Sequence, residues 1–225
     1  MSIAVPKSAL DFFKKLQKNN NREWFTEHKS EFKAIEAEVK TVYNELYNRL
    51  NAHDEVDKLK IFRIYRDVRF SKDKTPYKTH FSGSFHRKKP QLRGGYYLHI
   101  QPNHESFVAA GFWQPNKEDL LRIRKEFEID ASEIRDIMNN SNFKAIWGKL
   151  EGTEVKTAPK GFSKTHQNID LIKKKMYIFT RKFSDNEVLA PEFVDTVVDS
   201  FQAIRPFFDY MSDVLTTDLN GVSRF

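Results

Sequence analysis

Cationic side chains are concentrated in one stretch of the chain, residues 63 to 81, which reads RIYRDVRFSKDKTPYKTHF. The arginines and lysines recur every two to four residues, among aromatic residues: Arg63, Arg66, Arg69, Lys72, Lys74 and Lys78. Guanidinium and ammonium groups donate strong, charge-assisted hydrogen bonds to phosphate and carboxylate oxygens. These residue types and their spacing favour a binding site for a phosphate-bearing ligand, either a nucleotide-like small molecule or a nucleic-acid backbone.

Two residues near these cations could transfer protons, namely Asp67 and His99. An aspartate and an imidazole that converge on an anion-binding cavity could act as general base and acid on a phosphate- or carboxylate-bearing substrate. Two other interpretations stay open. The charges could simply be solvated on the exposed face of an antiparallel sheet, or the arginines and Asp67 could form an architectural network, with function in a protein-partner surface.

The segment 71–78 is a second candidate subsite. It combines ammonium groups with hydroxyl groups that could hold a phosphate or sulfate, on Lys72, Lys74, Thr75, Tyr77 and Lys78. Pro76 and the tyrosine after it could instead only shape a turn.

Several kinds of chemistry are excluded or disfavoured by the sequence. The chain has no cysteine, which excludes disulfides, thiolate zinc ligands and a thiol nucleophile. Neither the phosphate-binding G-x-x-x-x-G-K-[ST] motif nor the dinucleotide-binding G-x-G-x-x-G motif is present. His99 and His104 flank a predicted turn, but no third ligand is placed by spacing. We therefore expect neither a metal nor a cofactor.

The net charge of +7 arises in one segment. Between Lys60 and Arg93 there are eleven Lys or Arg residues against Asp67 and Asp73, so this segment carries +9 and the remainder of the chain −2. The stretch from Asp185 to Asp218 holds eight acidic residues and a single arginine. Such an uneven distribution favours an anionic partner for the basic segment.

The composition is that of a globular protein. Apolar residues make up 39% and aromatic residues 14% of the 225 residues, enough for a core without disulfides or metals. Without repeats or a linker, residues 1–225 are predicted to form a single α+β domain. The N-terminus lacks the pattern of a signal peptide and no apolar stretch approaches membrane length, so we expect a cytoplasmic protein with no membrane partner.

Helical periodicity in the N-terminal part gives way to alternation near Lys60. Ser8 is predicted to cap a first helix that stops at the sequence KNNN, and a second, long helix is predicted from Arg22 to about Leu50. An antiparallel meander is predicted from four strands, at 60–70, 79–87, 95–101 and 106–113. On the first strand Arg66 falls on the apolar side, where a guanidinium needs a partner, and we expect a carboxylate of the long helix.

Helices are predicted again after Pro115. Two amphipathic helices should end near Glu128 and Trp147, and a short helix should follow His166. Residues 176–183 could return to the sheet, and a final helix after Pro191 should be kinked or divided at Pro206. The fold class is therefore α+β, with N-terminal and C-terminal helices packed against the antiparallel sheet.

Several stretches, in this order, resemble a widespread, mostly bacterial family catalogued as a conserved domain of unknown function. They are LQKNNNREWF, RIYRDVRFSKDKTPYKTHF, YYLHI followed by AAGFW, and APKGFSKTHQNIDLI. The resemblance implies a single-domain α+β protein and brings no known activity. Its distinctive polar positions include Asn20, Arg22, Trp24, Arg63, Arg66, Asp67, Arg69, Ser71, Asp73, Lys74, Pro76, Tyr77, Lys78, His99, Lys156 and His166. Where the family commonly has His-Pro, this chain has His166-Gln167, which affects only local geometry.

Overall fold

A five-stranded antiparallel sheet forms the centre of the computed structural model, which describes residues 3–224. Its strands follow one another in sequence order: β1 (Val56–Ile61), β2 (Phe81–Arg87), β3 (Gly95–Ile100), β4 (Ser106–Phe112) and β5 (Tyr177–Phe183). Ten helices of the described residues pack around the sheet. The predicted α+β class and the antiparallel meander are confirmed, including the return of residues 177–183 to the sheet.

Three N-terminal helices precede the sheet: α1 (Lys7–Lys18), α2 (Arg22–Glu27) and α3 (Lys29–Leu50). The predicted cap at Ser8 is wrong because α1 begins after Pro6, whereas the predicted stop at KNNN is confirmed. The predicted continuous helix from Arg22 is interrupted at His28. There the Nδ1 atom of His28 lies 2.8 Å from the Trp24 carbonyl oxygen, and its ring stacks on the Trp24 indole, so side chain and backbone compete for one carbonyl.

The first predicted strand is wrong beyond residue 61. Residues 62–80 leave the sheet as an irregular hairpin, which we call the basic loop. The amide of Arg66 donates to the Pro76 carbonyl at 2.9 Å and the amide of Lys78 donates to the Ile64 carbonyl at 2.8 Å. Ile64 is 5% exposed and Phe70 97% exposed, so the alternation of residue types does not correspond to two faces of a strand. Arg63, Tyr65, Asp67 and Arg69 therefore do not line one face of a strand.

The described chain divides into two compact units. Unit 1 comprises the chain up to Phe85 together with 97–108 and 182–199; unit 2 comprises 86–96, 109–181 and the chain from Ser200. Strands β2 to β5 each contribute residues to both units. Whether the two form a single cooperative domain, as predicted from the sequence, stays a prediction.

Unit 1 is built on aromatic packing between its helices and strands. The ring of Phe81 lies 4.8 Å from Phe13 and 5.7 Å from Phe32, measured between centroids. Tyr43 on α3 donates its hydroxyl proton to the Leu98 carbonyl at 3.3 Å. Its ring covers Gly83, where a Cβ atom would lie only 2.7 Å from the ring carbon. A larger residue at Gly83 would force this ring to move.

Unit 2 contains most of the helices that follow the fourth strand, namely α4 (Lys117–Ile129), α5 (Ser132–Asn139), α6 (Ser141–Trp147) and α7 (Ile169–Ile172). The predicted helix ending near Glu128 is confirmed as α4, and Asn116 caps it because its side chain accepts from the Asp119 amide. The predicted single helix ending at Trp147 is divided at Asn140, whose side chain accepts from the first amides of α6 and so starts a new helix.

The C-terminal region forms three further helices: α8 (Asp185–Leu189), α9 (Phe193–Ala203) and α10 (Arg205–Thr216). The short α8 is absent from the sequence prediction, although Ser184 and Glu187 form a complete capping box there. The predicted division near Pro206 is confirmed, since α9 ends at Ala203 and Pro206 lies in the first turn of α10. Across residues 3–224, none of the helices combines the length and the apolarity needed to cross a bilayer.

Candidate anion-binding site

The basic loop is fastened to the N-terminal helices through Asn20, which lies between α1 and α2. The Asn20 side-chain amide donates to the Tyr77 carbonyl at 2.9 Å, and its oxygen accepts from the Tyr77 amide at 3.2 Å. The Tyr77 ring stacks on Phe25 at 4.0 Å and is 6% exposed. Burial raises the pKa of Tyr77. The structure therefore places Tyr77, a predicted ligand-binding residue, in the packing that positions the loop.

Arg66 cross-links the two arms of the basic loop. Its guanidinium lies 2.5 Å from the Asp73 carboxylate and donates to both the carbonyl oxygen, at 3.1 Å, and the hydroxyl of Thr75. Hydrogen bonds from the Thr75 amide and from Arg66 lower the pKa of Asp73 to about 2. The expected partner on the long helix is wrong, because the loop folds back and supplies Asp73 only seven residues away.

Arg69 and Lys74 also have partners within the loop. The Arg69 guanidinium binds the Asp67 carboxylate in a bidentate manner, at 2.9 and 2.7 Å, and this pairing lowers the pKa of Asp67. The Lys74 ammonium donates to the carbonyl oxygen of Val68 at 3.0 Å and, at 3.5 Å, to that of Arg69. Three of the predicted ligand-binding cations, Arg66, Arg69 and Lys74, thus stabilise the loop itself.

A second group of cations has no carboxylate partner. Among residues 3–224, no carboxylate lies within ion-pair distance of Arg63 or Lys78, nor of the neighbouring Lys60. The ammonium groups of Lys60 and Lys78 lie 5.1 and 5.4 Å from the centroid of the Phe62 ring. We call Lys60, Arg63 and Lys78 the cation cluster. Burial, then the charges of Arg63 and Lys60, lower the pKa of Lys78, so positive charge accumulates there without an ion-pairing carboxylate among residues 3–224.

Lys72 differs from both groups. It is exposed near the tip of the loop and, within the part of the chain that the structure describes, forms no ion pair. Arg63 has one weaker electrostatic neighbour, because its charge contributes to the lowered pKa of Asp67 from beyond ion-pair distance.

Two histidines lie in contact beside the cation cluster. The ring centroids of His80 and His99 are 4.1 Å apart. Burial, followed by the proximity of His99 and of Lys78, lowers the pKa of His80 to about 3. Burial also lowers the pKa of His99, which is 8% exposed. Both imidazoles are therefore neutral at neutral pH. His80 neither donates nor accepts a hydrogen bond with any described residue.

The hydrogen bonds around His99 fix its tautomer. The side-chain amide nitrogen of Gln101, Nε2, donates to the Glu105 carboxylate, which turns the side-chain oxygen of Gln101, Oε1, towards His99. That oxygen accepts from His99 Nε2 at 2.8 Å, so in the neutral ring Nδ1 is the acceptor and faces the Tyr97 hydroxyl at 3.3 Å. His99 is thus held by Tyr97 on its own strand and by Gln101 directly after it.

The structure does not join the two predicted catalytic residues. No hydrogen bond or ion pair connects Asp67 with His99 in residues 3–224; Asp67 is bound by Arg69, and His99 contacts His80 instead. The sequence analysis did not select His80 or Lys60 as site residues, and it missed the role of Asn20. The same described residues contain no group of three His, Asp or Glu side chains arranged to hold a metal ion.

Comparison with known proteins gives a family. A family model described as Conserved hypothetical protein (DUF2461) matches residues 8–210. No curated protein and no solved structure matches the chain. Since the match covers the N-terminal helices, the whole sheet and the first half of α10, the chain belongs to this family of conserved hypothetical proteins.

Proposed function

We propose that the protein binds a phosphate-bearing or other anionic ligand at the cation cluster formed by Lys60, Arg63 and Lys78. The observation that carries this proposal is the uncompensated charge: three cations raise one another's electrostatic free energy, and no carboxylate among residues 3–224 forms an ion pair with them. A bound anion would relieve this repulsion and raise the pKa of Lys78 again.

The surroundings of the cluster support the proposal. The Phe62 ring excludes water from one side of two ammonium groups, which strengthens their attraction for an anion. His80 adds neutral ring nitrogens that can donate a hydrogen bond to a phosphate oxygen. The ion pairs of Arg66 and Arg69 preorganise the loop that carries Arg63 and Lys78, so less conformational entropy is lost on binding.

The first prediction concerns inorganic phosphate and pyrophosphate as probes. Titration of the ¹⁵N-labelled protein should shift the amide resonances of residues 60–63 and 78–80. Arg63→Gln and Lys78→Gln should each weaken pyrophosphate binding by about tenfold to a hundredfold, because each removes a charge-assisted hydrogen bond worth about 1.5–3 kcal/mol. Binding constants from calorimetry at constant ionic strength provide the measurement.

Lys160→Gln is the matched control, since Lys160 is an exposed lysine of unit 2 and should leave the affinity unchanged. Pyrophosphate affinities of the Arg63 and Lys78 variants equal to that of the control would refute the proposal. Unchanged affinity combined with a loss of folding stability would favour the architectural interpretation of the loop.

A further inference from the structure

The tip of the basic loop carries an aromatic side chain that nothing in the described chain covers. Phe70 is 97% exposed, far more than any other large apolar residue within 3–224. It lies in a turn closed by the Ser71 amide, which donates to the Val68 carbonyl at 3.3 Å. Exposure of a whole phenyl ring is unfavourable in water, so this position is a candidate contact for a partner.

The turn beneath Phe70 is fixed by its neighbours. Arg69 is held by Asp67, and the Lys74 ammonium group crosses the turn to the carbonyl oxygens of Val68 and Arg69. The backbone on both sides of Phe70 is therefore ordered before any partner arrives. A ring presented in this way loses little conformational entropy when it is covered.

Positive charge surrounds the exposed ring. The Arg69 guanidinium lies 6.0 Å from the Phe70 ring centroid and Lys72 is exposed. Within the described part of the chain, neither Lys72 nor Lys74 has a carboxylate partner, and Lys74 donates to carbonyl oxygens. Tyr65, midway along the loop, is 46% exposed. Rings and cations therefore alternate from Phe62 at the base to Phe70 at the tip. Such an alternation suits a polyanion whose repeating units also carry flat apolar faces.

We propose that the basic loop binds single-stranded nucleic acid, with a base stacked on Phe70 and the phosphates contacted by Lys72, Lys74 and the cation cluster. This proposal rests on the anion-binding function above and names its partner. Bases in a duplex are already stacked on each other, so only unpaired bases can use an exposed ring in this way. An acidic peptide would satisfy the cations but would leave the flat face of Phe70 without a matching group.

Fluorescence anisotropy with a labelled oligodeoxythymidylate or oligouridylate of about 12 nucleotides tests the proposal. Phe70→Ala and Phe70→Leu should both weaken binding by roughly 5-fold to 100-fold, the range expected for loss of one stacked base, whereas Phe70→Trp should retain it. Because Phe70 is almost fully exposed, these variants should keep the fold. Ile129→Ala, which removes another exposed apolar residue, is the matched control and should bind as the wild type.

Salt dependence separates the ring from the charges. The slope of log affinity against log salt concentration should stay constant in Phe70→Ala and should decrease in magnitude by about 0.7 in Lys72→Gln, because only the latter removes a phosphate contact. A duplex of the same length should bind more weakly than the single strand.

The outcomes distinguish the two proposals. Loss of oligonucleotide affinity in Phe70→Ala with unchanged pyrophosphate affinity would support both. Two outcomes would overturn the nucleic-acid proposal alone. In the first, the protein binds pyrophosphate but not the oligonucleotide. In the second, it binds both, and Phe70→Ala and Phe70→Leu leave the oligonucleotide affinity unchanged. If Phe70→Leu retained its oligonucleotide affinity and the protein bound phosphatidylserine vesicles, the loop would be assigned to a lipid surface. This outcome would also overturn the nucleic-acid proposal. Absence of binding to either probe would overturn both proposals.

Discussion

His80 and His99 are two neutral imidazoles held in contact, with the Lys78 ammonium near His80 and the Glu105 carboxylate near His99. Water stabilises a protonated imidazole, but protonation of either ring in the folded protein would place a charge in a partly buried site. For His80 that charge would also lie near Lys78. The pair therefore excludes protons at neutral pH. This property suits an anion site, because His80 stays able to accept as well as to donate a hydrogen bond.

The histidine pair should make the folding stability depend on pH. The pKa of His80 is lowered from 6.5 to about 3, so between these pH values the unfolded chain binds a proton that the folded protein does not. The free energy of unfolding should therefore fall as the pH falls below 6.5, by about 1.4 kcal/mol per pH unit for this histidine. His80→Gln should remove that contribution. Urea denaturation across this pH range measures it.

Site-specific titration provides an independent check. The imidazole proton resonances of His80 should stay those of a neutral ring down to about pH 3. A midpoint near 6.5 for His80, or an unchanged pH dependence of stability in His80→Gln, would contradict the buried contact between the two rings.

At the scale of elements, three consecutive asparagines have three different roles. Asn19 ends α1, with its side chain bound to the Lys15 carbonyl; Asn21 caps α2 by accepting from the Trp24 amide. Asn20 between them binds both backbone groups of Tyr77, as a neighbouring strand would. The junction of two helices therefore serves as the partner for an irregular loop 57 residues away.

Substitution of Asn20 tests this attachment. Asn20→Ala should lower the free energy of unfolding by about 1–3 kcal/mol, because two hydrogen bonds to a partly buried backbone segment are lost. It should also remove the hydrogen-exchange protection of the Tyr77 amide. Asn19→Ala, one residue away, should cost no more than about 0.5 kcal/mol and leave the Tyr77 amide protected. Equal effects of the two substitutions would show that Asn20 does not anchor the loop.

At the scale of the whole molecule, the division into two compact units bears on the predicted single domain. Strands β2 to β5 each contribute residues to both units. Unfolding of either unit would therefore also disrupt strands that belong in part to the other. We therefore expect one cooperative unfolding transition.

Native-state hydrogen exchange measures this cooperativity. The most protected amides of unit 1, such as Leu98, and of unit 2, such as Phe179, should exchange with the same free energy and the same dependence on denaturant. A lower free energy with a smaller denaturant slope for one unit alone would mean that the units unfold separately and would contradict the single-domain prediction.

The fold was predictable where signals are local. Short runs rich in apolar and aromatic residues predicted β3 and β4, and Pro206 marks the division between α9 and α10. The basic loop was not, because Phe62, Ile64, Val68 and Phe70 alternate as they would in a strand. Backbone pairing between the arms of the loop, including the bridge between Tyr65 and Tyr77, satisfies the same groups that a strand would have used.

The sequence by itself determined the family resemblance, the α+β class and the segment that carries the positive charge, since periodicity and composition are properties of neighbouring residues. Only the tertiary structure decided which cations are paired. It assigned Arg66 to Asp73 and Arg69 to Asp67, left Arg63 and Lys78 without an ion-paired carboxylate among residues 3–224, and brought His80 against His99. Pairing energies fall steeply with distance, and those distances depend on how the loop folds back on itself, which spacing along the chain does not encode.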